Sequence, residues 1–146
     1  MSRKKIPQDT KYFTYYNANP YERYTTDCVI RAVCTATEED WYDTVISMTR
    51  FLAETGHVFH DNDGIGMYLE ALGWTRMSQP KFSDGSKMPG YAFCEWLRSK
   101  GCTGNVVVNM GRGHTSVMLY TDDGYKFFDT WNVSFQKVGV WWYKED

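Results

Sequence analysis

The sequence predicts an α+β domain in which N-terminal helices pack on a C-terminal antiparallel sheet. Up to Gly101, apolar residues recur at helical spacing between capping residues and glycines. After Gly101 the period changes to short runs rich in Val, Phe, Tyr and Trp, separated by turn residues. Aromatic residues make up 17% of the 146 residues, which is enough to build one dense core.

The helices are predicted from their caps. Thr26 or Asp27 can cap a first helix that begins at Cys28, and Arg31 lies four residues after Asp27, at the spacing of a side-chain pair. Asp61 or Asp63 can cap the third helix. Three helices are predicted after the first: from Thr37 to Gly56, from about Gly64 to Leu72, and from Pro89 to Gly101.

Four later runs have the composition of strands. The turns between them are Gly111–Gly113 and Asp122–Gly124. The runs are NVVVNM (105–110), HTSVMLYT (114–121), GYKFFDTW (124–131) and VSFQKVGVWWYK (133–144).

Residues 1–24 are polar with several Tyr, and we expect an extended N-terminal arm followed by a single domain over residues 25–146. The charges nearly balance, with 16 Lys+Arg against 18 Asp+Glu, so nucleic acid is not an expected partner. The basic residues Arg3–Lys5 are expected to solvate the terminus. No apolar run approaches the length of a membrane span, and the start lacks the apolar stretch of a secretory signal, so we expect no membrane partner and a cytoplasmic location.

Cys28 is the first candidate for chemistry. No two of the four cysteines have the gap of roughly two to four residues typical of zinc knuckles, and without an export signal disulfides are not expected. A thiol at a helix start is stabilised as the thiolate by free backbone N–H groups, which could also hold an oxyanion. The alternative is that Cys28 is a small residue of a core helix; Cys34, Cys94 and Cys102 are expected to be structural.

His114 and Asp129 are the second and third candidates. His114 opens a strand directly after a glycine-rich turn, which suits a general base, although an ordinary edge histidine is the alternative. Asp129 lies in an apolar strand, where a carboxylate needs a partner. A two-residue turn at Asp122–Asp123 or Asp123–Gly124 would point both side chains to the same face, whereas a three-residue loop without a bulge would point them to opposite faces. With the two-residue turns, Asn132, the alternative partner for the histidine, would point away from His114.

Two further groups have weaker signals. The amide of Asn17 or Asn19 could reach an oxyanion at Cys28, although Asn19-Pro20 is also an ordinary turn signal. A rival metal site could form within the segment GHVFHDND, but it has no distant third ligand, and its aspartates already serve as helix caps. The ligands of that site would be His57, His60, Asp61 and Asp63. We therefore expect no metal and no cofactor.

The order Cys, His, Asp along the chain is that of papain-like thiol hydrolases. The strings TTDCVIRAV, with NP shortly before it, GHTSVML and FFDTW resemble those of small phage and bacterial proteins with that fold. The resemblance spans Asn19 to Trp131, most of the chain.

The resemblance implies a papain-like cysteine protease fold and a set of catalytic roles. Cys28 would be the nucleophile, His114 the base and then the acid, Asp129 the residue that orients the imidazole, and Asn19 the oxyanion donor. Papain-like enzymes usually have a glutamine about six residues before the cysteine, where this chain has Glu22.

The expected function is that of a cysteine peptidase or isopeptidase acting on a protein or peptide substrate. If the protein is phage-encoded, it would act in the host cytoplasm. The alternative is a catalytically weak or inactive scaffold that binds and inhibits a host factor.

Overall fold

A computed structural model of the chain describes residues 5–59 and 61–145. This part of the chain contains helices α1 to α4, strands β1 to β6 and one short 3₁₀ helix, which confirms the α+β class. No helix within these ranges is both long and apolar enough to cross a lipid bilayer. The elements are, in chain order, β1 Phe13–Tyr15, α1 Cys28–Thr37, α2 Trp41–Thr55, α3 Asn62–Ala71, β2 Thr75–Met77, α4 Gly90–Ser99, β3 Val106–Met110, β4 His114–Thr121, β5 Gly124–Asp129, the 3₁₀ helix Val133–Phe135 and β6 Val138–Tyr143.

The strands form one sheet in the order β1-β5-β4-β3-β6-β2. The predicted C-terminal strands pair antiparallel, but β1 pairs parallel with β5, so the sheet is mixed. β1 consists of three residues of the N-terminal arm, and a segment of this length is too short to show the alternating pattern from which a strand is predicted. Arg3 and Lys4 lie outside the described residues.

The first helix begins at Cys28 as predicted, and the Arg31 guanidinium bonds the Asp27 carboxylate at 2.9 Å. The prediction that Thr37 opens the second helix is wrong. Thr37 is the last residue of α1, with its hydroxyl donating to the Val33 carbonyl. Glu38 then adopts the left-handed conformation that ends α1, and Asp40 caps α2 through the Asp43 amide.

Apolar clusters lie on both faces of the sheet. On one face, α4 packs Phe93 and Leu97 against Phe127 and other strand residues. On the opposite face, the first three helices pack against Val107 and Trp142 of the sheet. Each large side chain buried in this way contributes about 1.5–3 kcal/mol. This packing fixes α1 beside β4.

The hairpin between β4 and β5 has one of the two-residue turns that the sequence allowed. Thr121 pairs with Gly124, so Asp122 and Asp123 form the turn. This register brings His114 and Asp129 to the same side of the two strands, an arrangement that the sequence permitted but did not require.

Candidate active site

Cys28 occupies the first position of α1, beside backbone donors that lack partners. Asp27, at the N-cap, makes no capping bond with its side chain. Among the described residues, no acceptor binds the backbone N–H groups of Cys28, Val29 and Ile30. These groups carry the positive end of the helix dipole, and they favour negative charge next to the Cys28 thiol.

His114 is delivered to the site by a tight turn between β3 and β4. Gly111 and Gly113 both have positive φ values, of 55° and 70°, which glycine adopts without strain. The imidazole Nε2 of His114 lies 2.7 Å from Oδ2 of Asp129. Because Asp129 occupies Nε2, the ring nitrogen Nδ1 is left to face the thiol.

Asp129 is buried, with 3% of its side chain exposed, and its two oxygens accept four hydrogen bonds. One oxygen accepts from His114 and from the Ser116 hydroxyl at 2.6 Å. The other accepts from Arg31 at 3.1 Å and from the Thr130 amide at 2.7 Å. These bonds, with the charge of His114, outweigh the effect of burial and hold the pKa of Asp129 below its usual value.

Cys28 and His114 shift each other's pKa. Burial alone would raise the pKa of the Cys28 thiol, but hydrogen bonds with the His114 ring and the Thr115 backbone, and the charges of His114 and Arg31, lower it overall. Burial alone would lower the pKa of His114, but Asp129 and Cys28 raise it to about 9. The arrangement therefore favours a thiolate–imidazolium pair.

The other cysteines have different surroundings. All four cysteines are free thiols. Burial raises the pKa of Cys34 to about 11 and that of Cys94 to about 12. Neither is a nucleophile at neutral pH, because almost none of either thiol is ionised.

A cleft of about 590 Å³ opens over the pair. The Trp131 ring lies against the imidazole of His114, with the ring centroids 5.1 Å apart. Asn62 and Asn109, joined by a bond of 2.7 Å, line the cleft as well. None of the described residues that line it is Asp or Glu.

Asn19 does not reach this cleft. It is buried, and its amide nitrogen donates to Asp27 at 3.2 Å while its oxygen accepts from the Tyr21 amide. This geometry gives no support to an oxyanion role for this side chain, whereas the expected turn is present and is closed by a bond from the Glu22 amide to the Asn19 carbonyl. Asn17, the other candidate, donates to the Arg23 carbonyl.

Asn132 is also used elsewhere. Its side-chain oxygen accepts from the amide and the hydroxyl of Ser134, which caps the 3₁₀ helix.

No group of three or more metal-ligating side chains occurs within residues 5–59 and 61–145. Asp61 caps α3 by accepting from the Gly64 amide at 2.7 Å, and Asp63 pairs with Arg76 at 3.1 Å. The two histidines of the rival metal site are His57 and His60, and His60 lies outside the described residues.

Sequence reasoning missed three neighbours of the site. Ser116 had a signal, because continuing the register of the hairpin brings it opposite Asp129. Arg31 was recognised only as the partner of Asp27, and nothing local indicates its second bond, to a residue 98 positions away. Trp131 follows Asp129 by two residues, but its contact with His114 depends on how the chain leaves β5.

The chain matches no protein-family model, and no curated protein or solved structure shows significant similarity to it.

Proposed function

We propose that this protein is a cysteine hydrolase that cleaves a peptide or isopeptide bond with Cys28, His114 and Asp129. The observation that carries the proposal is the bonded series in which a buried carboxylate holds an imidazole against a thiol at a helix start. Each member has the environment that its role requires: an acidified thiol, a basic imidazole and a fully bonded carboxylate. A papain-like fold, expected from the resemblance, belongs to the same proposal.

The first half of the reaction forms a thioester. The Cys28 thiolate attacks the carbonyl carbon, and the carbonyl electron pair moves onto oxygen. The tetrahedral intermediate then collapses, the C–N bond breaks, and the His114 imidazolium gives its proton to the departing amine. Asp129 stays ionised and keeps Nδ1 of the ring directed at the reacting atoms.

The second half regenerates the thiolate. Neutral His114 takes a proton from a water molecule, whose oxygen attacks the thioester carbon. The C–S bond breaks, the carboxylic acid product leaves, and the imidazolium pairs again with the Cys28 thiolate.

In this proposal backbone amides bind the oxyanion, the role that the resemblance implies for Asn19. The N–H groups of Cys28, Val29 and Ile30, which have no acceptor among residues 5–59 and 61–145, lie at the helix start beside the thiol. Such donors stabilise an oxyanion without any side chain.

Free thiols fit a reducing compartment, so the proposal includes action on a protein or peptide in a cytoplasm. A phage origin is supported only by the resemblance in sequence.

The test is incubation of a peptide library with the wild-type protein, followed by mass spectrometry for new termini. We expect cleavage by the wild type and by Cys102→Ala, whose cysteine lies away from the cleft, and none by Cys28→Ala. Cleavage by Cys28→Ala at the wild-type rate would rule out the thiol mechanism. A folded wild type that cleaves nothing, with thiols of equal reactivity, would favour the alternative of an inactive scaffold that binds a host factor.

A further inference from the structure

A second cavity, of about 230 Å³, opens beside the cleft. It lies between α1 and α2, and three residues, Thr26, Val29 and Phe59, line both the cavity and the cleft. Val29 directly follows Cys28 in α1. One residue that lines this cavity, which we call the side pocket, is therefore the immediate chain neighbour of Cys28.

The lining of the side pocket is mainly apolar. Its apolar side chains come from α1, from α2 and from the segment after α2: Val29, Ile30, Val45, Met48, Leu52 and Phe59. Asp27 is the one charged residue among the described residues that line it, and its carboxylate is already bonded to Arg31, Asn19 and Trp41. The side pocket thus offers no free charge to a polar ligand.

Its size limits the occupant further. Small-molecule sites begin at roughly 300 Å³, above the volume of the side pocket. Water molecules there would find few hydrogen-bond partners, so an apolar group that displaces them gains free energy. A single side chain of the size of leucine or methionine is small enough to fit the side pocket and apolar enough to displace water from it.

We propose that the side pocket is a specificity subsite, and that the substrate is a peptide with a bulky aliphatic side chain close to the scissile bond. The identity of the substrate rests on the proposed function, whereas occupancy of the side pocket does not require hydrolysis. Val29 lines both the side pocket and the cleft. A substrate side chain that packs against Val29 in the side pocket would therefore hold the adjacent substrate backbone over Cys28.

Alkylation of Cys28 tests the side pocket without hydrolysis. The probes are chloroacetamides with N-(3-methylbutyl), N-methyl or N-carboxymethyl groups. In each reaction the thiolate forms a C–S bond, the C–Cl bond breaks and chloride leaves. Rates at Cys28, measured by mass spectrometry, are divided by the rate of each probe with free cysteine.

We expect the 3-methylbutyl probe to react about tenfold or more faster than the methyl probe after this correction. Val45→Phe fills the side pocket and should abolish the preference. Ile46→Phe makes a similar enlargement at the neighbouring, exposed position of α2 and should keep it. Thr49 also lines the side pocket and is exposed. Thr49→Phe is therefore a second variant that fills the side pocket, for use if Val45→Phe does not fold.

Equal corrected rates for the three probes, or a preference that survives filling, would overturn the proposal. A preference found in a protein that cleaves no peptide would uphold the side pocket and reject the hydrolase. Absence of any reaction at Cys28 would reject both.

Discussion

Arg31 in α1 donates a hydrogen bond to the Asp129 carboxylate at the end of β5, with Nη1 and Oδ1 3.1 Å apart. The same guanidinium bonds Asp27 at 2.9 Å, and both carboxylates are buried. One side chain therefore ties the helix that carries Cys28 to the strand that carries the partner of His114. A planar group with several fixed donors suits this double contact, and a lysine could not reproduce it.

Replacing Arg31 by Gln should therefore affect both stability and the thiol. Removal of the cation leaves the buried Asp27 carboxylate without its charged partner and leaves Asp129 paired with His114 alone, which costs about 3 kcal/mol of unfolding free energy, measured in urea. The substitution also raises the pKa of Cys28, so alkylation of the thiol should reach its full rate only at a higher pH. Arg31→Lys should retain the low pKa better than it retains stability.

Arg98→Gln, at an exposed position of α4, is the matched control, with an expected change below about 0.5 kcal/mol. An unchanged pH profile in Arg31→Gln would show that the guanidinium has only a structural role.

Iodoacetamide at neutral pH should label Cys28 at least roughly 100-fold faster than Cys34 or Cys94, because the thiolate is the reactive form. Burial raises the pKa of those two thiols to about 11 and about 12, whereas that of Cys28 is lowered. Peptide mapping by mass spectrometry gives the rates. His114→Ala should slow the labelling of Cys28, because burial raises the pKa of the thiol and His114 no longer lowers it. Equal labelling rates in the wild type and the variant would contradict the ion pair.

The imidazole of His114 should titrate with a midpoint near pH 9 in NMR spectra, far above its ordinary value of 6.5. Asp129→Asn removes the carboxylate that favours the imidazolium, so the midpoint should fall. His114→Gln identifies the signal by its loss. A wild-type midpoint close to 6.5 would exclude the proposed pairing.

The same shift has a consequence for stability. A raised pKa in the folded state stabilises the protein fully below 6.5, and this contribution is lost as the pH rises through about 9. Cys28, whose folded pKa is lowered, contributes in the opposite direction, with stability present above 9.0 and lost as the pH falls through its folded pKa. In Cys28→Ala the Asp129 carboxylate still raises the pKa of His114 but Cys28 no longer does, so the folded-state pKa lies below about 9. Urea stability should therefore decline as the pH rises from 6.5 through that lower pKa; a rise over that window would contradict the assignment.

Asn19→Ala should destabilise the fold without altering the thiol. It removes a buried donor to Asp27 and an acceptor for the Tyr21 amide, at a cost of about 1–3 kcal/mol. The alkylation rate of Cys28 and any peptide cleavage should stay within about threefold of the wild type, as measured on folded protein. A loss of about 100-fold in turnover with intact stability would restore Asn19 as an oxyanion donor.

The start of α1 and the glycine turn before His114 could be predicted, and the hairpin register could be reduced to a few alternatives, because each depends on residues close together in sequence. Caps, positive-φ glycines and the alternation of strand side chains are local effects. The boundary between α1 and α2 could not be predicted, because Thr37 and Asp40 are both competent caps, and the structure has Asp40 in that position.

The sequence by itself determined the helix-then-strand order and the position of Cys28 at a helix start, and it permitted the shared face of His114 and Asp129 without requiring it. Only the tertiary structure decided that α1 lies against β4, that Arg31 spans both carboxylates, and that Asn19 turns inward to Asp27. Those choices depend on which surfaces bury each other, and burial brings together residues as distant as Arg31 and Asp129, which are 98 positions apart and which no local spacing connects.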